Sequence, residues 1–305
     1  MTSRIQNGYD NRAGSAGKEP GLHTPERINS SGKDLRMGRI IDRDSGNLVI
    51  VPLDHGMSIG PAVGLYEMGR TVDEVARGGA TAVVMHKGLV RNCYRGYNGT
   101  GLIVHLSAST GLGSSVNEKR VVTSVHEAMR RGADAVSVHL NVGADTEADM
   151  LHEIGMVSGE CEDSGMPLLV MAYPRGPKIK DPFDPEAISH AVRVAAELGA
   201  DVVKCNYTGD IDSFRDVVRG AMVPVVIAGG PKMDSDKGIL KMVYDSLQAG
   251  GRGASMGRNI FQHHDVCGIT RAISDITKNG ATVQEAFGGM KGHDKPRLSA
   301  SVHVQ

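Results

Sequence analysis

Tryptophan is absent from this 305-residue chain and aromatic residues make up only 4% of it, which argues against an aromatic-rich β-sandwich. Cysteine is almost as scarce. Cys93, Cys161, Cys205 and Cys267 lie far apart with no C-x-x-C pair, a pattern that excludes a zinc knuckle and a disulfide framework and leaves four thiols expected to be reduced. Charge of one sign is missing too: the formal net charge is −1, with acids and bases interspersed, so no electrostatic footprint for nucleic acid or an anionic membrane is present. No apolar run approaches the roughly 20 residues of a membrane helix, and the first thirty residues lack the apolar centre of a secretory signal. These absences predict a cytoplasmic protein whose partner is a small molecule.

Glycine is abundant, at 40 residues, and suits a chain with many tight turns. Residues 1–33 are polar and aperiodic, as are residues 291–305, and both are expected to be flexible arms around a single domain over 34–290. Within that domain, short apolar runs alternate with amphipathic segments: LVIVPLD (48–54), TAVVMH (81–86), GLIVHL (101–106), DAVSVHL (134–140), PLLVMAY (167–173), DVVKCN (201–206), PVVIAGG (224–230) and GASMGR (253–258). Several are introduced by one phrase, RGGATAV, RRGADAV, ELGADVV or QAGGRGA, in which glycine stops a helix and the next strand begins. Near-continuous apolar strands separated by helices imply a parallel sheet covered on its faces. Eight such units predict an α/β fold of the (β/α)8 TIM-barrel class. An open doubly wound sheet is the alternative, but the first strand runs into VPLDHGMSIGP, without G-x-G-x-x-G. The third unit is irregular, and its Gly/Ser-rich stretch SASTGLGSSVN (107–117) is expected to loop over the barrel mouth.

Barrel enzymes carry their chemistry at the carboxyl ends of the strands, so strand-end residues enumerate the mouth. Asp54, His55, His86, Lys87, His105, His139, Asn141, Tyr173, Arg175, Lys204 and Asn206 fall there. Lys204 follows two valines in DVVKCN, and a buried ammonium loses its hydration. It reads two ways: a rim lysine that snorkels or pairs with Asp201 or Asp210, or an amine made nucleophilic by an apolar wall and nearby cations. Schiff-base chemistry also needs a proton acceptor and a proton donor, for which Asp54 and Tyr173 are suited by type. Alternatively Asp54 forms a D-H-G turn and Tyr173 is a rim aromatic. Gly229-Gly230 and Gly257-Arg258 end the seventh and eighth strands, where glycine amides and a guanidinium would cradle phosphate. A rival reading gathers His55, His86, His105 and His139 around a divalent metal, although no compact H-x-H or H-E-x-x-H spacing supports it. Arg91, Arg95 and Arg175 are candidate carboxylate or phosphate ligands, or plain solvated loop charge.

The phrases VPLDHGMSIGP, HKGLVRN, RGY, GLIVHLSAST, MAYPRG, VVKCNYTGD, PVVIAGGP and MGRNIFQH, in this order over about residues 35 to 290, together resemble the Schiff-base barrel aldolases. That family includes archaeal-type fructose-bisphosphate aldolase and a branch, to which HKG, HLSAST and NYTGDIDSFRDVV point, of 2-amino-3,7-dideoxy-D-threo-hept-6-ulosonate synthases. The resemblance implies that Lys204 is the Schiff-base lysine, Asp54 the proton acceptor and Tyr173 the proton donor. It also implies a phosphosugar site from Asp54, His55, Gly56, Met57, Ser58, Tyr173, Pro174, Arg175, Gly229, Gly230, Gly257 and Arg258, with Lys87, His86, His105, His139 and Asn206 in support. The implied partners are a phosphorylated ketose donor and L-aspartate semialdehyde, or dihydroxyacetone phosphate as an alternative donor, in a homo-oligomer that needs no metal and no cofactor. The arm, the tail, the loop wording and the lack of an acidic residue before GLI depart from the family pattern.

Overall fold

The computed structural model describes residues 31–96 and 98–290, so the expected arm, apart from its last three residues, and the expected tail lie outside the described residues. Among the described residues there are ten strands: β1 (Leu48–Pro52), β2 (Ala82–His86), β3 (Gly101–His105), β4 (Ser107–Ala108), β5 (Arg120–Val121), β6 (Ala135–Val142), β7 (Leu168–Pro174), β8 (Val202–Cys205), β9 (Val225–Ala228) and β10 (Gly253–Ser255). Eight of them close into a barrel in the order β1-β10-β9-β8-β7-β6-β3-β2, and every neighbouring pair is parallel. These are the eight apolar runs, and the fold is the expected (β/α)8 TIM barrel.

The pleat sorts each strand's residues onto two faces. Val203 and Cys205 of β8 point outward with Val49, Val83 and Val104 into the layer beneath the helices, whereas Val202 points inward with Leu48, Ile50, Val84, Ile103 and Val226. The four turns written with the repeated phrase use glycines at positive φ, Gly79, Gly132, Gly199 and Gly250, at 90°, 81°, 94° and 97°, the left-handed stop that the phrase announces. Closure itself depends on Gly253. With φ of 129°, it brings β10 so near β1 that a Cβ would lie 1.9 Å from the Leu48 carbonyl oxygen.

The barrel floor is sealed by the helix Ser31–Ile40, whose Met37 and Ile40 join the inner apolar cluster. That helix begins two residues before the boundary drawn at Lys33. Lys33 is itself buried and pairs with Asp201 at 3.2 Å and with Glu162. Asp201 also accepts the Leu168 amide at 2.9 Å, and Asp210 caps the helix Ile211–Ala221 through Ser213 N–H at 2.9 Å. Both carboxylates that might have paired with Lys204 are therefore used elsewhere. Over the mouth, β4 and β5 form an antiparallel ribbon, so the irregular third unit is a loop held at its base rather than a free one. Among the described residues no helix is long and apolar enough to cross a membrane.

Candidate active site

The alternation that buries Val202 inward also turns Lys204 into the barrel, where it is 6% exposed at the bottom of a mouth cavity of about 320 Å³. Burial lowers its pKa to about 8, helped by the Arg175 guanidinium and opposed by the Asp54 carboxylate. At pH 7 about one amine in ten is then neutral, against roughly one in three thousand at the ordinary value of 10.5. Beside it on β7, Met171 stands in register with Lys204, and the next inward residue, Tyr173, is 5% exposed. Burial raises the Tyr173 pKa, so its phenol stays protonated through neutral pH. The Arg175 guanidinium lies 4.5 Å from the Tyr173 ring centroid and the His139 ring 5.1 Å from it.

Asp54 follows β1 and reaches the same cavity. Burial alone would raise its pKa, but in the acid range where Asp54 titrates the protonated His105 and His55, the Lys204 ammonium and the protonated His86 outweigh burial and bring it to about 2. Its Oδ2 is 3.9 Å from His105 Nε2; its Oδ1 is 3.5 Å from His55 Nδ1 without hydrogen-bonding geometry, leaving Oδ1 a buried acceptor with no partner. The histidines are turned toward neighbours. His105 Nδ1 meets Ser137 Oγ at 2.8 Å, His139 Nε2 meets Asn141 Oδ1 at 2.9 Å, and His55 packs edge-on against Phe261. Among the described residues no three His, Cys, Asp or Glu side chains converge as metal ligands would. Burial lowers all four histidine pKa values, that of His105 to about 4, so these rings are uncharged at neutral pH. The wall of the mouth then carries Lys119, Arg175, Arg258 and the charged fraction of Lys204 against one carboxylate, Asp54. Such a cavity favours an anion.

Gly229, Gly230, Gly257 and Arg258 line one side of the cavity together. The two turns are tied to each other: Arg258 donates to the Gly230 carbonyl at 3.1 Å, and Asn259 donates to Gly229 at 2.7 Å and Pro231 at 3.2 Å. At Gly257 a Cβ would lie 2.3 Å from His55 Cε1 and 2.9 Å from the Pro52 carbonyl, so only glycine lets this turn approach so closely. His55, Met57, Ser58 and Asn206 also reach the cavity, with Asn206 anchored on the Pro182 carbonyl at 2.9 Å.

Several expectations need correction. Lys87 opens the helix Lys87–Cys93 and spends its ammonium on Glu127 and the Val122 carbonyl, both at 2.9 Å, away from the cavity. Gly56 and Pro174 are not on the cavity wall, nor are Arg91 and Arg95, and Arg91 belongs to that same helix rather than to a loop. Conversely, Ser107, Ser109, Lys119 and Ser255 line the cavity without having been singled out. Ser255 was accessible to sequence reasoning, because the period of two that turns Gly257 inward turns Ser255 inward as well, where its Oγ is buried without a partner. Lys119 carried no such signal.

A (β/α)8 barrel whose mouth holds an inward lysine of lowered basicity beside a carboxylate and a phenol is that of a Schiff-base, class I aldolase-type enzyme. Residues 48–263 match the DeoC/LacD family aldolase pattern, and the chain belongs to that family. It is 41% identical over 251 residues, 82% of this chain and 92% of the relative, to a 2-amino-4,5-dihydroxy-6-oxo-7-(phosphonooxy)heptanoate synthase of Streptomyces griseus. To a 2-amino-3,7-dideoxy-D-threo-hept-6-ulosonate synthase of Halobacterium salinarum it is 40% identical over 260 residues, 85% of this chain and 97% of the relative. Among solved structures, an archaeal fructose-1,6-bisphosphate aldolase with its catalytic lysine covalently bound to the carbinolamine intermediate superposes with a TM-score of 0.75 at 31% identity. That match covers 80% of this chain and 99% of the other.

Proposed function

We propose that this enzyme transfers a three-carbon unit from a phosphorylated ketose to L-aspartate semialdehyde, with Lys204 as the covalent centre. The observation that carries the reading is the buried, easily deprotonated Lys204 facing Asp54 and Tyr173 in a positively charged mouth. The products that name the two synthase relatives support the choice of acceptor. Both are 2-amino, 6-oxo, seven-carbon acids. The bond an aldol reaction makes lies between the carbon next to the ketone and the hydroxyl-bearing carbon beyond it, C5 and C4. Cutting there leaves 2-amino-4-oxobutanoate, which is aspartate semialdehyde, and a three-carbon ketone. The two products differ at C7, which bears phosphate in one and is deoxygenated in the other.

The steps follow from the residues. The Lys204 lone pair attacks the donor ketone, Tyr173 gives a proton to the departing oxygen, and water leaves a protonated imine. Asp54 takes the proton of the hydroxyl one carbon beyond the α-carbon. The carbon–carbon electron pair then flows into the imine nitrogen, giving an enamine and releasing a phosphorylated aldehyde. The enamine carbon attacks the aldehyde of aspartate semialdehyde, the new alkoxide recovers a proton, and water hydrolyses the imine to free Lys204. Until that aldehyde leaves, the Gly229-Gly230 and Gly257-Arg258 turns hold the donor's phosphate, with His55, Met57 and Ser58 beside them.

The test pairs L-aspartate semialdehyde with 6-deoxy-5-ketofructose 1-phosphate, fructose 1,6-bisphosphate or dihydroxyacetone phosphate. A seven-carbon amino keto acid from the first donor, and a borohydride-reduced adduct on Lys204, are expected. A phosphorylated product formed only from dihydroxyacetone phosphate assigns the other relative's donor, and no seven-carbon product from any donor refutes the proposal.

A further inference from the structure

We infer that Lys119 recognises the carboxylate of the aldehyde acceptor and so selects carboxylated aldehydes over neutral ones, an inference that rests on the function proposed above.

The barrel order places the two ends of the mouth. The glycine turns follow β9 and β10, while the β4–β5 ribbon, which delivers Lys119, lies between β3 and β6, on the opposite side of the ring β1-β10-β9-β8-β7-β6-β3-β2. Lys204, on β8, stands between these sides. A three-carbon donor such as dihydroxyacetone phosphate, with its phosphate at the glycine turns and its keto carbon on Lys204, leaves the ribbon side free for the second substrate.

The ribbon is fastened so that Lys119 has little choice of direction. Arg120 reaches Glu118 at 2.7 Å, Asp149 at 2.6 Å and Glu153 at 3.3 Å, and the Val121 amide donates to Glu153 at 2.8 Å. Asp149 and Glu153 belong to the helix Glu147–Ser164, so this network clamps β5 to the barrel's outer layer. On the inner side, Asn141 holds the Asn117 carbonyl at 2.7 Å. Between these ties, the half-buried Lys119 turns into the mouth and donates to Ser109 Oγ.

Charge at this end is only partly compensated, by the Asp54 carboxylate. Neither Lys119 nor Arg175 has a carboxylate ion-pair partner among the described residues, and burial and Arg175 together lower the Lys119 pKa. Two facing cations repel, and an anion between them offsets both the repulsion and the lost hydration. Arg258 is committed to the far side through the Gly230 carbonyl, which leaves Lys119, with Arg175 beside it, on the acceptor's side. Lys87, adjacent in sequence to the mouth residue His86, cannot serve because Glu127 occupies it.

The experiment compares Lys119→Met, Lys119→Arg and wild type on three acceptors: L-aspartate semialdehyde, succinic semialdehyde and butanal, each with the donor found active. Loss of a charged hydrogen bond predicts that Lys119→Met lowers kcat/KM for both carboxylated aldehydes by about tenfold to a hundredfold, through KM. Turnover of butanal, KM for the donor, and borohydride trapping of donor on Lys204 stay within about twofold. Lys119→Arg, keeping the charge, retains most of the preference. If Lys119→Met depresses all three acceptors equally, affects none, or raises the donor's KM instead, the inference is overturned while the proposed function stands. If wild-type enzyme condenses no carboxylated aldehyde with any donor, both are overturned, and the wild-type measurement alone reveals it.

Discussion

Replacing Asp54 by asparagine should make Lys204 a better nucleophile and the enzyme a far worse catalyst. The carboxylate raises the Lys204 pKa, against burial and Arg175, which lower it. Lys204 is 6% exposed and the Asp54 side chain 16%, so their interaction is only partly screened. Unit charges in close approach interact by about 1 kcal/mol in water and about 4 kcal/mol near a protein surface. In the wet, open mouth the lower end of that range applies, roughly one pH unit. The sign is fixed: removing the negative charge lowers the lysine pKa further below its wild-type value of about 8 and raises the neutral fraction at pH 7. Borohydride trapping of a phosphorylated ketose, followed across pH, should therefore show its midpoint shifted about one unit toward acid in Asp54→Asn. The full reaction with L-aspartate semialdehyde should lose about 10² to 10⁴ in kcat, because no group remains to take the hydroxyl proton as the bond breaks. A midpoint that stays put or moves toward alkali would show that Asp54 does not act on Lys204. Turnover within tenfold of wild type would show that another group takes the proton.

Lys204→Met should abolish adduct formation and at the same time stabilise the fold by about 1 to 3 kcal/mol at pH 7 in urea unfolding, because a charged amine no longer has to be buried. The lysine's folded pKa lies below its unfolded value, so the wild type's deficit should shrink as pH rises from about 8 toward 10.5. Gly257→Ala drives a methyl group against His55 and the Pro52 carbonyl, and should raise KM for phosphorylated donors about tenfold or more with folding intact; an unchanged KM would remove this turn from the phosphate site. Lys33→Met strands the Asp201 carboxylate at the barrel floor and should cost about 2 kcal/mol of stability without changing kcat. Burial alone would lower the Lys33 pKa, but Glu162 and Asp201 outweigh it and raise the value. The stability it contributes is accordingly present at all pH below its unfolded value near 10.5 and is lost only as pH rises through the higher folded value, which urea unfolding across alkaline pH would display.

What the sequence determined by itself was everything that depends on the local pleat and the local turn. Val-Val-Lys-Cys can only be a strand with Lys204 on the face opposite Val203 and Cys205, and the glycine stops before β2, β6, β8 and β10 announce where helices end. Asp54, Tyr173, Gly229 and Gly257 were legible for the same reason: the end of a strand is a local property, and in a parallel barrel all strand ends meet at one mouth. Tertiary structure alone decided which cations share that mouth. Lys87 follows a mouth histidine directly, yet the helix it starts carries its side chain to Glu127; Lys119 sits in a polar loop, yet the Arg120 clamp on a distant helix turns it inward. Lys33 and Asp201, 168 positions apart, meet at the floor only because the barrel closes over the helix Ser31–Ile40. Long side chains on loops and helix ends take their direction from whatever the closed ring brings beside them, and no periodicity in the chain encodes that.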